Sequence, residues 1–288
     1  METGAHLEAS HAKVFVPSPP ECHGFRPRSE TAKLAVVTGA SRGIGREIAV
    51  TLARHGWDLA FSHLGEATEA AETTGLITAT GRRALGVHCD VGVKAEVWAF
   101  YAAVVDQFGR APDLLVNNAG VQTWAPLLEL AEADWDRVIR TNLKGCFLNT
   151  QRAAQLMVEH GIRGSIVNLG SACNKVAFPR LVDYTASKGG IEQFTKVSAT
   201  ELGPHGIRVN CVAPGAIEHE RTKLEAPDYA ETWAAITPLG RVGSTADVAK
   251  VVHFLATDAA GFVTGQTIYV DGGAFTMPNW PYPSGKKG

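Results

Sequence analysis

The sequence has few features that would direct the chain to a membrane or to a nucleic acid. Its apolar runs are short, and none approaches the length of about 18 residues that a membrane-spanning helix requires. The formal net charge is only −2, so there is no excess of basic residues to attract nucleic acid or anionic lipid. We therefore expect a globular protein whose partner is a small-molecule substrate.

Cysteine is also scarce, and its distribution excludes two kinds of site. The five cysteines are scattered along the chain, with no C-x-x-C pair and no histidine at ligand spacing. An odd, dispersed set is typical of free thiols in a reducing compartment, and it favours neither a disulfide framework nor a zinc site. We expect a cytoplasmic protein with no bound metal.

The two ends of the chain differ in composition from the rest. Residues 1–31 lack the apolar core of a secretory signal and contain four prolines, which predicts an extension without regular structure. A single domain is expected over residues 32–275. Residues 276–288 are expected to form a C-terminal tail, which either packs on a neighbouring subunit or frays.

From Lys33 onward, short apolar runs alternate with longer helical patterns. Runs of near-continuous apolar character are typical of strands that are covered on both faces. Helical connections between such strands predict a parallel sheet with helices on both sides. The sequence therefore predicts an α/β fold, a single doubly wound domain with a seven-stranded parallel sheet. The seven runs are KLAVVTG, DLAFSH, ALGVHCD, DLLVNNAG, SIVNLGS, IRVNCVAPG and QTIYVDGG.

A glycine-rich loop, TGASRGIG, follows the first predicted strand and precedes the first predicted helix. Its glycines have the spacing G-x-x-x-G-x-G, which differs from the G-x-G-x-x-G dinucleotide fingerprint but meets the same demand. A turn without Cβ atoms lets backbone N–H groups and a helix N-terminus approach a pyrophosphate. The predicted cofactor-binding residues of this loop are Gly39, Ser41, Arg42, Gly43, Ile44 and Gly45.

The end of the second predicted strand bears on which dinucleotide binds. An acidic residue there would hold the ribose hydroxyls of NAD and repel a 2′-phosphate, but the chain has His63. Arg42 could pair with that phosphate. NADP is therefore the preferred cofactor, with NAD as the second; alternatively, Arg42 is a solvated surface charge and either cofactor is used. Asp90, with Val91 after it, either accepts from the adenine amino group or caps the next helix.

The segment DYTASKGG places Tyr184 and Lys188 four positions apart. Residues i and i+4 share one face of a helix. A phenol has a pKa of about 10, and a nearby cation lowers that value, so the pair could form an acid–base centre. The Y-x-x-x-K pattern also occurs by chance on helix surfaces, and the rest of the chain must decide.

Several motifs occur together in a particular order. They are TGASRGIG, NNAG at residues 117–120, Asn142 within TNLKG, Ser171 thirteen positions before Tyr184, YTASK, and PGAI. With these motifs, the chain from about Lys33 to Ala274 resembles the short-chain dehydrogenase/reductase superfamily. The resemblance implies a Rossmann-type fold, a nicotinamide cofactor, and a catalytic set consisting of Asn142, Ser171, Tyr184 and Lys188.

The resemblance also implies a role for each catalytic residue. Tyr184 exchanges a proton with the substrate oxygen, and Lys188 lowers the tyrosine pKa and holds the nicotinamide ribose. Ser171 orients the substrate by hydrogen bonding. Asn142 lies at a local helix distortion that binds water for proton relay.

Further cofactor contacts follow from the same resemblance. They are expected at Val91, Asn117, Ala119, Gly120, Pro214, Gly215 and Ile217. The chain departs from the family pattern at His219, where a threonine that touches the cofactor is common, and Thr222 could replace it.

Within the superfamily, the segment before Tyr184 is most similar to bacterial glucose 1-dehydrogenases, through Phe178-Pro179 and Leu181-Val182. A sugar or polyol is therefore the expected substrate, with hydrogen bonds from Asn174, Lys175 and Asp183. The segment EHERTKLEAPDYAETW is expected to cover the substrate.

Two other functions stay open at this point. The first is a 3-oxoacyl thioester (acyl-carrier-protein) reductase, which shares nearly all the core motifs. The second is a non-catalytic NADP-sensing protein, which the complete catalytic set disfavours. In relatives the helices around residues 130–160 and 183–203 form the subunit contact, so the resemblance implies a homotetramer.

Overall fold

The structure is a computed structural model that describes residues 32–65 and 67–276, without the side chains of Arg221 and Glu225. The predicted extension over residues 1–31 and almost all of the predicted tail lie outside the described residues. Among the described residues, no helix is both long enough and apolar enough to cross a membrane. The boundaries proposed for the domain stay predictions.

Seven parallel strands form the central sheet, in the order β3-β2-β1-β4-β5-β6-β9, and a separate two-stranded sheet joins β7 to β8. All seven predicted strands and the doubly wound α/β fold are confirmed. The strands are β1 (Leu34–Val37), β2 (Asp58–His63), β3 (Ala84–His88), β4 (Leu114–Asn117), β5 (Ser165–Leu169), β6 (Arg208–Pro214), β7 (Ile217–Glu218), β8 (Gly243–Ser244) and β9 (Thr267–Val270).

Helices connect these strands and cover both faces of the large sheet. The α-helices are α1 (Gly43–Arg54), α2 (Ala67–Thr78), α3 (Lys94–Phe108), α4 (Glu132–Val138), α5 (Gly145–Glu159), α6 (Val182–Leu202), α7 (Glu220–Glu225), α8 (Tyr229–Ile236) and α9 (Thr245–Ala256). A π-helix spans Ile139–Lys144, and short 3₁₀ helices span Ala172–Asn174, Gly203–His205 and Asp258–Ala260.

Strand β1 shows why the central runs are continuously apolar. Ala35 and Val37 pack into the core on one face of the sheet, with residues of α1 and α9. Leu34 and Val36 pack into the core on the other face, with residues of α3 and α5. Successive side chains of a strand point to opposite faces, so a strand between two helical layers needs apolar residues at every position.

The strand order reverses between β1 and β4. The chain proceeds from β1 to β2 and β3 on one side, and from β4 to β5, β6 and β9 on the other. In doubly wound sheets the ligand crevice lies at the carboxyl ends of the strands at such a point. The loop after β1 and the segment after β4 therefore meet at the edge where a cofactor would bind.

Candidate active site

The glycine loop is pressed against the segment that follows β4. Gly39 has a φ of 64°, and a Cβ placed there would lie 2.8 Å from the Cα of Ala119. A Cβ on Gly45 would lie 2.4 Å from Nδ2 of Asn118. These contacts leave no room for side chains, so two of the three predicted glycines are needed for the loop to pack.

Gly43 is less crowded than Gly39 and Gly45. Its φ is 58°, and a Cβ placed there would meet no atom within 4 Å. Helix α1 begins at this residue, its N-cap Arg42 makes no side-chain capping bond, and no acidic residue occupies the first turn. An open, uncapped helix N-terminus suits an anion, because its N–H groups and dipole face outward. The loop therefore fits a pyrophosphate, as the sequence predicts.

Asn118, which sequence reasoning did not select, holds this loop in place. Its Nδ2 donates to the backbone oxygens of Thr38 (3.0 Å) and Gly39 (2.9 Å). The Thr38 hydroxyl in turn accepts from the backbone N–H groups of Asn118 and Ala119, each at 3.0 Å. The NNAG motif therefore ties the end of β4 to the glycine loop, with Gly120 just beyond it.

The neighbouring Asn117 lies inside the protein. Its Nδ2 donates to Oδ1 of Asn168 at 2.8 Å and to the hydroxyl of Thr150 at 2.9 Å, so it links β4 to β5 and α5. The amide nitrogen of Asn117 therefore has a structural role, while the cofactor contact predicted for this residue stays a prediction.

Arg42 and Ser41 share one acidic partner. Nη1 of Arg42 lies 3.2 Å from Oε1 of Glu69, and the Ser41 hydroxyl donates to Oε2 of the same residue at 3.4 Å. The Arg42 side chain is 61% exposed. Neither sequence interpretation of Arg42 included this ion pair. His63, at the end of β2, is buried, and its Nδ1 lies 3.3 Å from the backbone oxygen of Gly65.

Asp90 organises the turn before α3. Its Oδ1 accepts from the backbone N–H of Gly92 at 2.8 Å, and its Oδ2 lies 3.1 Å from Nη2 of Arg140. Val91 is buried against Gly145. Asp90 thus stabilises the turn before α3 and does not cap the helix, whose N-cap Val93 makes no side-chain capping bond. The adenine contact stays a prediction.

Tyr184, Ser171 and Lys188 meet at the start of α6. Ser171 follows β5 in extended backbone; its side chain accepts from the backbone N–H of Cys173 at 3.3 Å and lies close enough to Tyr184 to lower the pKa of the phenol. Lys188 is only 4% exposed; its Nζ donates to the backbone oxygen of Leu169 at 2.7 Å and lies 5.5 Å from the Tyr184 ring centroid. The structure thus brings together three of the four residues predicted to be catalytic.

In the protein without a cofactor, burial outweighs the lowering of the Tyr184 pKa that the Y-x-x-x-K pattern predicts. Burial raises the pKa of Tyr184 to about 12, and the nearby Ser171 side chain only partly opposes this rise. Burial also lowers the pKa of Lys188. The ammonium lies beside the tyrosine ring and bonds to a carbonyl oxygen, so desolvation dominates at the phenol. Near pH 7 the Tyr184 phenol therefore carries its proton.

Asn142 joins the π-helix to the site. Its Oδ1 accepts from the backbone N–H of Val121 at 2.8 Å, and its Nδ2 donates to the Val121 oxygen at 2.9 Å and the Ser187 hydroxyl at 3.0 Å. Ser187 donates to the backbone oxygen of Tyr184 at 2.7 Å. The helix distortion implied by the family resemblance is present, and it inserts Asn142 between the β4 segment and α6. The water relay stays a prediction.

The end of β6 and the segment after it contain the remaining predicted cofactor contacts, at Pro214, Gly215 and Ile217. Gly215 packs closely on Asp271, where a Cβ would lie 2.7 Å from the Asp271 Cβ, and Ile217 is buried in β7 just after Pro214. The Thr222 hydroxyl accepts from the backbone N–H of His219 at 2.9 Å and donates to the His219 oxygen at 2.8 Å. The cofactor contact suggested for Thr222 is corrected, because its hydroxyl caps α7.

Aromatic residues from three segments pack together beside Tyr184. Phe178, from the loop after Ser171, lies 6.4 Å from Trp233 of α8 and 5.4 Å from Phe275, measured between ring centroids. Trp233 also contacts Tyr229, at 6.1 Å. Tyr229 is close enough to raise the pKa of Tyr184. We call Phe178, Tyr229, Trp233 and Phe275 the aromatic wall; the sequence predicted a cover here but not its composition.

Two of the three polar residues expected to bind a polyol make contacts within the protein. Asp183 is fully buried, and its Oδ1 accepts from the backbone N–H of Tyr184 at 2.7 Å. The ammonium of Lys175 lies over the Tyr269 ring, 5.3 Å from its centroid. Oδ2 of Asp183 and Oδ1 of Asn174 are both buried with no hydrogen-bond partner among the described residues. The predicted polyol contacts therefore stay predictions.

Comparison with known proteins identifies the family. Residues 39–275 match the family model described as Enoyl-(Acyl carrier protein) reductase. The chain is similar to 3-oxoacyl-[acyl-carrier-protein] reductase FabG of Staphylococcus aureus strain Mu50, with 42% identity over 243 residues, 84% of this chain and 98% of that protein.

The chain belongs to the short-chain dehydrogenase/reductase superfamily.

Two further proteins show the same relationship. The chain is 40% identical over 249 residues to (3R)-3-hydroxyacyl-CoA dehydrogenase of Homo sapiens, covering 84% of this chain and 95% of that one. The crystal structure of acetoin dehydrogenase from Enterobacter cloacae superposes with a TM-score of 0.81 at 36% identity, covering 88% of this chain and all of that one. This short-chain dehydrogenase/reductase is thus an oxidoreductase that acts on hydroxyl and carbonyl groups with a nicotinamide cofactor.

Proposed function

We propose that this short-chain dehydrogenase/reductase reduces a ketone on an acyl thioester, a 3-oxoacyl group, with NADPH as the hydride donor. The observation that carries the proposal is the aromatic wall, whose rings pack together beside the protonated phenol of Tyr184. The alternative named from the sequence thus becomes the leading candidate. It is supported by the similarity of the chain to 3-oxoacyl-[acyl-carrier-protein] reductase FabG and to (3R)-3-hydroxyacyl-CoA dehydrogenase.

The chemistry assigns one task to each residue. When bound, the reduced nicotinamide supplies the hydride. The Tyr184 hydroxyl donates a proton to the ketone oxygen, and Ser171 donates a hydrogen bond to the same oxygen as negative charge develops there. The Lys188 ammonium, buried beside the tyrosine ring, favours the phenolate once the proton has left. Asn142 fixes Val121 and Ser187, which keeps this edge of the site rigid.

The pKa of Tyr184 supports the direction of reaction. A phenol whose pKa burial has raised to about 12 holds its proton throughout the neutral range, so it is ready to act as an acid. Oxidation of an alcohol needs the opposite state, the phenolate. The protonated phenol is therefore the form that ketone reduction requires.

The substrate side supports an apolar chain next to the ketone. The rings of the aromatic wall offer a large apolar surface, while the ammonium of Lys175 lies over the Tyr269 ring. An acyl chain gains by leaving water for such a surface. A polyol would need several well-placed hydrogen-bonding groups.

One observation favours a sugar or polyol as the second candidate. The buried Oδ1 of Asn174, which has no partner among the described residues, could accept a hydrogen bond from a substrate hydroxyl. The similarity of the segment before Tyr184 to glucose 1-dehydrogenases supports the same candidate. Oxidation of a sugar at its anomeric carbon would then give a lactone.

A nicotinamide absorbance assay separates the candidates. One arm contains NADPH with 3-oxoacyl thioesters of increasing chain length, and the other contains NADP⁺ with a panel of aldoses. The proposal predicts turnover in the first arm, with KM falling as the chain lengthens against the aromatic wall. Turnover with aldoses alone would contradict it and favour the second candidate.

We also propose that NADP is preferred over NAD. The end of β2 carries His63 and Leu64 where an acid would select NAD, and Arg42 lies in the glycine loop. Arg42→Ala should raise the Kd for NADPH several-fold more than the Kd for NADH. Equal effects on both would show that Arg42 does not contact the 2′-phosphate.

The proposed assembly is a homotetramer. An apolar groove of about 420 Å³ lies between α5 and α6, lined by Phe147, Phe194 and Val158 among others. Phe147 and Val158 are each more than two-fifths exposed, as expected for an apolar face that a second copy covers. Phe147→Glu should reduce the molar mass measured by light scattering. An unchanged molar mass would show that the groove between α5 and α6 is not a subunit contact.

A cytoplasmic location completes the proposal. Four cysteines are described, and all four are free and buried, in agreement with a reducing compartment. Fractionation of the source cells, with the protein detected by antibody, tests the location.

A further inference from the structure

We propose that Glu69 limits the preference of this enzyme for NADP over NAD, because its carboxylate competes with the cofactor's 2′-phosphate for Arg42 and Ser41. The inference rests on the proposed cofactor. It adds a specificity-determining residue on α2, outside the glycine loop and outside the end of β2 where such a residue was sought.

Both oxygens of the Glu69 carboxylate are used. Oε1 lies 3.2 Å from Nη1 of Arg42, and Oε2 accepts from the Ser41 hydroxyl at 3.4 Å. A Cβ on Gly65, just beyond β2, would lie 3.3 Å from Oε2. The carboxylate therefore stands between the glycine loop and the end of β2, the two segments that flank the adenosine ribose in doubly wound folds.

The position of Glu69 is fixed by a second arginine. Arg46 on α1 donates to the backbone oxygen of Glu69 at 3.2 Å, and also to the Thr73 hydroxyl and the backbone oxygen of Ser41. Its ionic partner is Glu72, at 3.0 Å. Arg46 thus anchors the first turns of α2 against the loop and leaves the Glu69 carboxylate to Arg42 and Ser41. The Glu69 side chain is 28% exposed, so the pair is partly shielded from solvent.

The two cofactors meet this arrangement differently. A 2′-phosphate needs the guanidinium of Arg42, so it must displace the carboxylate and then lie close to its negative charge. A free 2′-hydroxyl can instead donate to the carboxylate, which is the part that an acid at the end of β2 plays in NAD-binding folds. The same side chain therefore weakens NADP binding and assists NAD binding.

The test uses fragments of the cofactor, so it does not depend on turnover. Adenosine 2′,5′-bisphosphate represents the NADP end and ADP the NAD end, and calorimetry on the full chain gives the Kd of each. Glu69→Gln should tighten binding of the bisphosphate by about 5-fold, the size expected from removing one partly exposed ion pair. Binding of ADP should weaken or stay within twofold. The gain should shrink at high salt, which screens exposed charges.

Two further variants make the result specific. Glu72→Gln removes a carboxylate from the same helix, one turn along, and should change neither Kd by more than twofold. In the Arg42→Ala background, Glu69→Gln should lose most of its effect, because the guanidinium for which the carboxylate and the 2′-phosphate compete is gone. If Glu69→Gln leaves the ratio of the two Kd values unchanged, or if Glu72→Gln changes it equally, the role of Glu69 is overturned.

Failure of the proposed cofactor gives a different result. If the native chain binds neither the bisphosphate nor ADP, the nucleotide site itself is refuted, and the role of Glu69 with it. If the native chain binds both but Glu69→Gln has no effect, only the role of Glu69 is refuted.

Discussion

The Ser171 side chain lies close enough to the phenol of Tyr184 to lower its pKa, so the segment after β5 meets the first turn of α6. Because Ser171 follows a strand and Tyr184 lies near the start of a helix, the packing of α6 on the sheet fixes their separation. The predicted catalytic pair is therefore positioned by the sheet and a long helix, while the aromatic wall beside it comes from loops and short helices.

Tyr184→Phe tests the proton donor. The variant keeps the ring but loses the hydroxyl, so kcat/KM for a 3-oxoacyl thioester should fall by about 10²–10⁴-fold, the usual contribution of a positioned acid. The Kd for NADPH, measured by fluorescence, should change little. Near-native turnover would contradict the assigned role.

Gly45→Ala tests the close packing of the glycine loop. The new Cβ would lie 2.4 Å from the Asn118 amide and 2.5 Å from the backbone oxygen of Gly39, so the loop must shift. We expect a loss of about 1–3 kcal/mol in the free energy of unfolding, measured in urea, with much weaker cofactor binding.

Gly75→Ala is the matched control. It lies in α2, where an added Cβ meets nothing within 4 Å, and should stabilise the protein by about 0.5–1 kcal/mol. If both variants behave alike, the packing argument for Gly45 is wrong.

His253 should make stability depend on pH. Its ring stacks on His55 with centroids 3.9 Å apart, and burial, followed by the His55 charge, lowers its pKa below 6.5. The unfolded chain then binds more protons than the folded one, so the stabilisation is complete above about pH 6.5 and is lost as the pH falls towards the lowered value. Urea midpoints should drop between about pH 7.5 and pH 5.5.

The variant His253→Asn isolates this contribution. The urea midpoint of this variant should fall less over the same pH interval, since the His253 imidazole is gone. An identical pH profile for both proteins would show that other groups cause the loss of stability at low pH.

Trp233→Ala tests the aromatic wall. The substitution removes contacts with Phe178, Tyr229 and Phe275, so KM for a long 3-oxoacyl thioester should rise by about 10-fold, with a smaller change for a short one. The Kd for NADPH should stay within twofold. Trp135→Ala, a part-exposed tryptophan on α4, serves as the control and should leave the chain-length dependence intact.

The strands were predictable from sequence because their pattern is local. Leu34 to Val37 are all apolar because they lie between two helical layers. Four consecutive apolar residues are therefore enough to indicate a strand that is covered on both faces. The candidate catalytic residues were predicted through a motif order that belongs to a known family. The predicted distortion around Asn142 came from the same source, since nothing in IRTNLK itself signals a π-helix.

What the sequence did not predict depends on contacts between distant segments. Arg42 and Glu69 are 27 positions apart, and no spacing rule joins a loop to a later helix. Trp233 and Phe178 of the aromatic wall pack together although they lie 55 positions apart in the sequence. The pKa of Tyr184 was predicted in the wrong direction because the neighbouring charge is evident from sequence, whereas desolvation arises only from the packed fold.

The separation between a rigid catalytic pair and a cover built from α7, α8 and adjoining loops has an evolutionary consequence. If residues 219–236 cover the substrate as proposed, exchanging them would change which molecule is recognised, while the β5–α6 junction and the glycine loop keep their sequence. New specificities can therefore arise by grafting a single surface segment, and because Tyr229 lies near Tyr184 such a graft also changes the pKa of the phenol. One ancestral scaffold can in this way diversify into enzymes for chemically unlike ketones.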